Sequence, residues 1–249
     1  MNCSNALASI VSLASLASAS VAVASSTGCG FASSPDPQVS PDGGSGPDGA
    51  PQGGDAGDLV QLRETSGDEI APQSSVVCYA PGAQATRDET WVRTFRLADF
   101  APVGADGASV FQVSTVTFWV TSAASARGIL VGLGVYAGAY GQATIDPAQI
   151  QPLASVPVDV ADVASPLPAE QVVVPISAEA QVSEVLLVTV RSPSLQPTGG
   201  NLHLGATNAA EAAPGYFYSS ACAIPYRSTQ ALGIVGHLVI EVVGRWLTR

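Results

Sequence analysis

The sequence predicts an all-β fold, a two-sheet antiparallel β-sandwich of jelly-roll-like form. Hydrophobic residues make up 47% of the chain, yet aromatic residues only 6%. From Val76 onward, short runs rich in Val, Thr and aromatic residues are separated by turn residues about every ten positions. Helical character is limited to "EAQVSEV" and "DPAQIQ", each long enough for a single turn. These observations favour strands over helices.

The first three predicted strands are Val76–Tyr79, Trp91–Leu97 and Phe111–Thr121. The first is a short apolar run, and the second mixes aromatic and β-branched residues. The third alternates with a period of two, which places successive side chains on opposite faces of a sheet. One face carries Val116, Phe118 and Val120, and the other carries Thr115, Thr117, Trp119 and Thr121.

The next four predicted strands are Ile129–Ala137, Leu153–Val160, Val172–Ile176 and Val185–Arg191. Each is rich in Val, Leu or Ile and has Gly, Pro or Ser directly beside at least one of its ends. The last of these four alternates as well. Leu186, Val188 and Val190 share one face, opposite Val185, Leu187, Thr189 and Arg191.

The last three predicted strands are Leu202–Ala206, Tyr216–Ser219 and Leu232–Val243. Leu202 and Leu204 alternate with His203, and "YFYS" is a short aromatic run. The final run is too short and too interrupted to cross a bilayer, so it is predicted to be one long central strand.

Residues 1–28 are predicted to form a signal segment of lipoprotein type. Residues 6–24 are apolar and small, although "MNCSN" lacks the positive charge that usually precedes such a segment. "STGC", which ends at Cys29, resembles the bacterial lipobox, with Ser26 where an aliphatic residue is usual. The resemblance predicts cleavage before Cys29 and lipidation of that cysteine, and Gly30 suits sorting to the outer membrane. The alternative is an unmodified cysteine in a linker.

Residues 29–75 are predicted to be a disordered tether, and residues 76–249 the β-sandwich domain. Pro-Asp recurs at positions 35, 41 and 47, and glycine-rich sequence follows. Residues 30–77 hold eight acids and one arginine, a net −7 of the chain's −11. Each repeat has a single acid and a proline, so the tether does not have the clustered oxygen ligands of a calcium loop.

Removal of residues 1–28 leaves Cys78 and Cys222 as the two remaining unmodified cysteines. In an exported protein they are expected to form a disulfide bond across a long loop. The alternative is a pair of buried, reduced thiols. No Cys-x-x-Cys pair is present, so no thiolate metal site is predicted.

Five segments resemble, in order, a recurring non-catalytic β-sandwich module of secreted and surface-attached bacterial proteins. They are "FRLADF", "STVTFWVTSA", "LVGLGVYAG", "EVLLVTVRSP" and "GYFYSSACAIP", within residues 78–243. The resemblance implies a sandwich fold and an extracytoplasmic location, and "SSAC" implies a structural role for Cys222. It implies no catalytic residues, because that family has no established function.

Several functional classes are disfavoured by the residues. All nine basic residues are arginines without a basic stripe, so we expect no nucleic-acid binding. The two histidines, His203 and His237, would need to converge with a carboxylate to hold a metal, and we predict no metal site and no cofactor. Ser219 and Ser220 are conceivable nucleophiles without a recognisable base, so we predict that the protein is not an enzyme. A secreted hydrolase stays as an alternative.

The residues support a binding function better than they support these other classes. Tyrosines gather near predicted loops and are candidates for stacking on sugars or contacting a protein partner, although they are also suited to the core. These residues are Tyr136, Tyr140, Tyr216, Tyr218 and Tyr226. A structural calcium ion at Asp159 and Asp162, or at Asp99 and Asp106, is a further possibility.

The sequence as a whole predicts an exported, lipid-anchored protein that binds or has a structural role at the bacterial cell envelope. The lipid anchor would be its membrane contact, and a glycan or an envelope protein its partner. The predicted location is the outer membrane or cell surface, with secretion as the alternative. The alternative function is that of a carbohydrate-binding module.

Overall fold

The computed structural model describes residues 58–67, 69–71, 74–78, 85–164 and 168–247. The signal segment, Cys29 and the first part of the tether therefore lie outside the described residues and stay predictions. Thirteen strands and four short 3-10 turns, without an α-helix, occur in these ranges. The strands are β1 Val60–Leu62, β2 Ser75–Val76, β3 Glu89–Arg96, β4 Val110–Ala124, β5 Ile129–Tyr136, β6 Ile150–Val158, β7 Glu170–Gln181, β8 Val185–Ser192, β9 Asn201–Thr207, β10 Tyr216–Ser219, β11 Ile224–Ser228, β12 His237–Leu238 and β13 Ile240–Leu247.

The strands form two sheets, and every pairing is antiparallel, which confirms the predicted fold class. The seven-stranded sheet has the order β1-β13-β4-β9-β12, with β2 beside β9 and β7 beside β4. The six-stranded sheet has the order β11-β10-β3-β8-β5-β6. In the first sheet β4 is 15 residues long and pairs with β13, β7 and β9 in turn, so it organises the whole layer.

The main core fills the space between the sheets. Val116, Phe118 and Val120 of β4 are fully buried there, as the alternation predicted. From the other sheet, Leu186 and Val188 of β8 pack into the same cluster. Burial of these side chains is the main stabilising contribution to the sandwich, at about 25 cal/mol per Å² of apolar surface.

A second, smaller core lies on the outer face of the six-stranded sheet. Residues 137–149, between β5 and β6, cover part of this face. The cluster consists of Val92, Tyr136, Ile145, Leu187 and Tyr216, with Ile150, Val185 and Tyr226 against it. Both faces of β3 and β8 are therefore covered over part of their length.

The predicted strand Leu232–Val243 is wrong as a single element. The chain turns at Gly233 and Gly236, whose φ angles are +72° and +121°. His237–Leu238 then pairs with β9, whereas the strand that starts at Ile240 pairs with β4 and β1. Two positive φ angles so close together interrupt a strand, and glycine adopts them at little cost.

The folded region begins before Val76. Strand β1, within the segment predicted to be tether, pairs with β13, and its Leu62 side chain is fully buried. No helix in the described part of the chain is long and apolar enough to cross a membrane.

The predicted disulfide bond between Cys78 and Cys222 is confirmed, with the two Cα atoms 6.4 Å apart. Cys78 follows β2 of the seven-stranded sheet, and Cys222 lies in the turn between β10 and β11 of the six-stranded sheet. The bond therefore links the two sheets covalently.

Candidate ligand-binding site

An open cleft of about 450 Å³ lies on the outer face of the six-stranded sheet. Strands β3 and β8 form its floor, the β10–β11 hairpin forms one wall, and the segment 137–149 forms another. Its lining residues are Asp88, Thr90, Ile145, Pro147, Arg191, Tyr218, Pro225 and Tyr226. The volume is within the range of small-molecule sites, about 300–1,000 Å³.

Two tyrosines form the aromatic wall of the cleft. The rings of Tyr218 and Tyr226 stack with their centroids 4.7 Å apart and their planes at 20°. The hairpin positions them, because Phe217 of β10 pairs with Arg227 of β11 and a bulge follows before Ser219. Each ring holds the other in place, so the pair presents a rigid aromatic surface to the cleft.

An ion pair forms the polar side of the cleft. Arg191 donates from Nε and Nη2 to the same oxygen of Asp88, Oδ1, at 3.2 and 3.0 Å. Neither Asp88 Oδ2 nor Arg191 Nη1 has a hydrogen bond to any residue that the structure describes. Asp88 has a φ of +47°, the left-handed conformation that few residues other than glycine adopt. The ion pair therefore places one unused acceptor, Asp88 Oδ2, and one unused donor, Arg191 Nη1, at the same cleft.

Thr90 lies in the floor between these two groups. It is paired with Tyr218 on one side and with Arg191 on the other. The residue is 2% exposed, and its hydroxyl oxygen has no hydrogen-bond partner among the described residues. A buried hydroxyl without a partner is uncommon in native structures, and this one lies beneath the base of the cleft.

The segment 137–149 is held by hydrogen bonds to β11 and by contacts of Tyr140 with two other parts of the chain. Ile145 N donates to Tyr226 O at 3.2 Å, and Ser228 N donates to Ala143 O at 2.8 Å. Tyr140 donates its hydroxyl to Glu64 Oε1 at 2.8 Å, while the Arg96 guanidinium lies 5.1 Å from the centre of its ring. These contacts keep the wall of the cleft in place without a ligand.

The five predicted tyrosines separate into three groups. Tyr218 and Tyr226 line the cleft, and Tyr140 anchors the segment beside it. Tyr136 and Tyr216 are 7% and 2% exposed and belong to the second core, where burial raises the pKa of Tyr216 to about 12. Burial and the bond to Glu64 also raise the pKa of Tyr140. Of the five, Tyr218 and Tyr226 are therefore the ones that line this cleft, and ligand contact at any of them stays a prediction.

The two histidines are not brought together. His237 pairs with Thr207, which is four residues from His203 along β9, about 13 Å in an extended strand. His237 Nδ1 lies 2.8 Å from Glu211 Oε1, and burial lowers the pKa of His203. Within the described ranges, no group of three or more His, Cys, Asp or Glu side chains is placed to hold a metal ion.

Glu211 belongs to a buried ionic cluster between the sheets. Arg93 of β3, which has no exposed surface, donates to Glu211 Oε2 at 2.8 Å and to Ala213 O at 2.6 Å, and also to Leu238 O. Gln230 donates to the other Glu211 oxygen at 3.1 Å. These contacts pair both charges inside the protein, although Arg93 Nε has no hydrogen-bond partner among the described residues. We assign the cluster a structural role.

The remaining candidates have local roles. Ser219 has no exposed surface, so a substrate does not reach it. Asp159 and Asp162 accept hydrogen bonds from the backbone N–H groups of Gly128 and Ser125 at 2.9 and 2.8 Å. Asp99 bonds to Arg96, and Asp106 to Ser109 and Ala108, which are turn and surface contacts.

Asp88, Thr90 and Arg191 were not predicted as site residues. The alternation of β8 does place Arg191 opposite the core residue Val190, which is a signal that a charged side chain points outward from the sheet. Its meeting with Asp88 depends on the pairing of β3 with β8, residues about 100 positions apart, which no local pattern reveals.

Comparisons with known proteins give a distant likeness. No protein-family model matches the chain. No curated protein matches it either. One similar solved structure contains the cysteine protease and lectin-like domains of Cwp84, a surface layer associated protein of Clostridium difficile. It is 13% identical over 65% of this chain, with a TM-score of 0.43.

A second similar structure is the clostridial cysteine protease Cwp84 after propeptide cleavage. It is 13% identical over 76% of this chain, with a TM-score of 0.47. This chain spans 32% and 40% of the lengths of those two chains.

Proposed function

We propose that the protein is an exported, lipid-anchored binding module of the cell envelope, without catalysis, and that its cleft binds a sugar. The supporting observation is the cleft in which stacked Tyr218 and Tyr226 face the Asp88–Arg191 pair across the Thr90 hydroxyl. The small, apolar N-terminal segment and the lipobox-like sequence before Cys29 support export and anchoring.

A sugar fits this arrangement because a pyranose has two chemically different surfaces. Its C–H groups form an apolar face that packs on an aromatic ring. Its hydroxyls both donate and accept, and so match a carboxylate oxygen, a guanidinium N–H and a threonine hydroxyl placed close together. A purely apolar ligand would remove water from Asp88 Oδ2 and Arg191 Nη1 without replacing its hydrogen bonds, which costs binding free energy.

The first test is binding of the purified, disulfide-intact protein to an array of bacterial and plant glycans, followed by titration calorimetry. We expect Tyr218→Ala to weaken binding at least tenfold, equivalent to about 1.4 kcal/mol, because it removes one ring and the support of the other. Tyr218→Phe keeps the stacked pair and should bind within about threefold of the wild type.

Val173→Ala is the matched surface control, since Val173 is exposed on β7 of the other sheet. The proposal is wrong if no glycan binds, or if Tyr218→Ala binds as well as the wild type. Anchoring is tested separately by the intact mass of the mature protein extracted from native cells. A start at Cys29 with added acyl mass is expected, and a mature chain without lipid would contradict it.

A further inference from the structure

The cleft continues into a row of side chains that crosses the six-stranded sheet. Strand register pairs Tyr218 with Thr90, Thr90 with Arg191, Arg191 with Leu130, and Leu130 with Pro157. Directly opposite residues in antiparallel strands point to the same face. The row therefore starts at the aromatic wall and reaches the outermost strand, β6, on one continuous surface.

The far half of this row is open and partly apolar. Leu130 is 38% exposed although its neighbours Ile129 and Val131 are fully buried in the main core, so its side chain points outward. Pro157 beside it is exposed as well. From Tyr218 to Pro157 the row crosses four strand-to-strand intervals, a length of about 19 Å. A single sugar unit in the cleft leaves most of this length uncovered.

The charges along the row are already neutralised in pairs. Arg191 lies 3.0 Å from Asp88, and Arg127, close to the far end, lies 3.6 Å from Asp159. A surface without net charge gives no long-range attraction to an anionic polymer. Hydroxyl groups, by contrast, can use the donor and acceptor that the Asp88–Arg191 pair leaves available.

The direction of the row also distinguishes between classes of polymer. An extended peptide adds to a sheet by pairing along the edge of a strand, through backbone groups. This row runs across the strands and presents only side chains. A chain of sugar rings, each about as long as the distance between neighbouring strands, can place successive units over successive side chains.

We propose that the row Tyr218–Thr90–Arg191–Leu130–Pro157 binds one chain of a neutral polysaccharide laid across the strands. One sugar stacks on the tyrosines, the next bonds to Arg191 and Asp88, and a third packs on Leu130 and Pro157. This inference rests on the proposed sugar-binding function and adds to it the length, direction and neutral charge of the ligand.

The test is calorimetric titration with a length series, from dimer to hexamer, of the neutral glycan that binds best on the array. Affinity should rise with length until the row is covered. Leu130→Ala should weaken hexamer binding about fivefold and leave dimer binding unchanged, because the dimer does not reach it. Leu130→Thr, which keeps a strand-forming residue, should behave in the same way, and Val173→Ala should change neither affinity.

The possible results separate the two proposals. Equal affinity for dimer and hexamer, with Tyr218→Ala abolishing both, overturns the extended row and leaves the sugar cleft standing. Tighter binding of oligogalacturonate than of a neutral oligomer of equal length overturns the neutral charge of the ligand. If no glycan binds, both the proposed sugar binding in the cleft and the proposed polysaccharide binding along the row are wrong.

Discussion

Glu89 is a carboxyl group without exposed surface at the end of β3. It faces the same side of the strand as the core residue Trp91. Its Oε1 accepts a hydrogen bond from Cys78 N at 3.0 Å, while Oε2 has no partner among the described residues. Burial disfavours the charged form and raises the pKa of Glu89 from 4.5 to about 8. The folded protein therefore holds this group neutral at neutral pH.

Glu89→Gln should make the protein more stable at alkaline pH. Glu89 has a higher pKa in the folded state than in the unfolded state, so unfolding releases a proton between pH 4.5 and about 8. The contribution of Glu89 to the free energy of unfolding is fully present below pH 4.5 and is lost as the pH rises to about 8. Gln keeps the hydrogen-bond acceptor for Cys78 N and does not ionise. At high pH the free energy of unfolding of Glu89→Gln should therefore exceed that of the wild type by on the order of 2–5 kcal/mol.

Urea unfolding at pH 4 and pH 9 measures this difference. The wild type should lose stability between these two pH values by more than Glu89→Gln does, and the exposed variant Glu170→Gln should behave as the wild type. If Glu89→Gln and the wild type lose stability equally between the two pH values, Glu89 is not the group that couples folding to pH.

The tyrosines show what residue identity alone leaves undecided. Tyr136 precedes Ala-Gly and Tyr226 follows Pro. From the sequence, both are equally good candidates for stacking on a ligand. In the structure, Ile145 and its neighbours cover Tyr136 and leave Tyr226 at the cleft. Which tyrosine is covered depends on the position of the segment 137–149. That position depends in turn on hydrogen bonds with β11, far along the chain.

At the scale of the strand, period-two alternation identified both faces of β4 and β8 correctly. Alternation is a local property, so a run such as Val116–Val120 carries its own orientation. It failed where an element is too short to show a period, as with β1 and its single fully buried side chain, Leu62. It also failed at residues 232–243, where glycines permit a turn that hydrophobicity alone does not reveal.

Gly244 of β13 is a further position at which a strand depends on glycine. A register shift between Val243 and Gly244 marks a bulge against β4. A Cβ atom at Gly244 would overlap the carbonyl oxygen of Gln112 and the ring of Phe111. Gly244→Ala should therefore destabilise the protein by about 1–3 kcal/mol, because a well-packed core resists added volume.

The matched control is Gly107→Ala, since a Cβ atom there would meet nothing within 4 Å. Both variants make the same chemical change, so any difference in their urea midpoints reports the contact at β13. Equal midpoints for the two variants would contradict the prediction, because they would show that β4 and β13 accommodate the added Cβ atom without loss of stability.

At the scale of the whole molecule, three of the outer strands, β6, β7 and β11, carry features that hinder pairing with a further strand. Strand β6 contains Pro152 and Pro157, and β7 contains Pro175, and proline has no N–H to donate to an incoming strand. Strand β11 is covered along part of its length by residues 143–145. These features disfavour association by edge-to-edge strand addition at these three strands.

The disulfide bond is the covalent link between the two layers. It joins positions 144 residues apart, so it restricts the unfolded chain strongly, by about 5 kcal/mol in the idealised chain-entropy model. Substituting both cysteines, Cys78→Ser with Cys222→Ser, should lower the urea midpoint. The m value should rise, because the uncrosslinked unfolded chain exposes more surface.

Equilibrium unfolding with and without reductant checks this prediction on the same protein. Reductant should lower the wild-type midpoint to near that of the double variant, and should leave the double variant itself unchanged. Glycan titration of the reduced protein adds a further readout, because Cys222 lies in the hairpin that carries Tyr218 and Tyr226. An unchanged midpoint after complete reduction would mean that the core and the Arg93–Glu211 pair hold the sheets together without the bond.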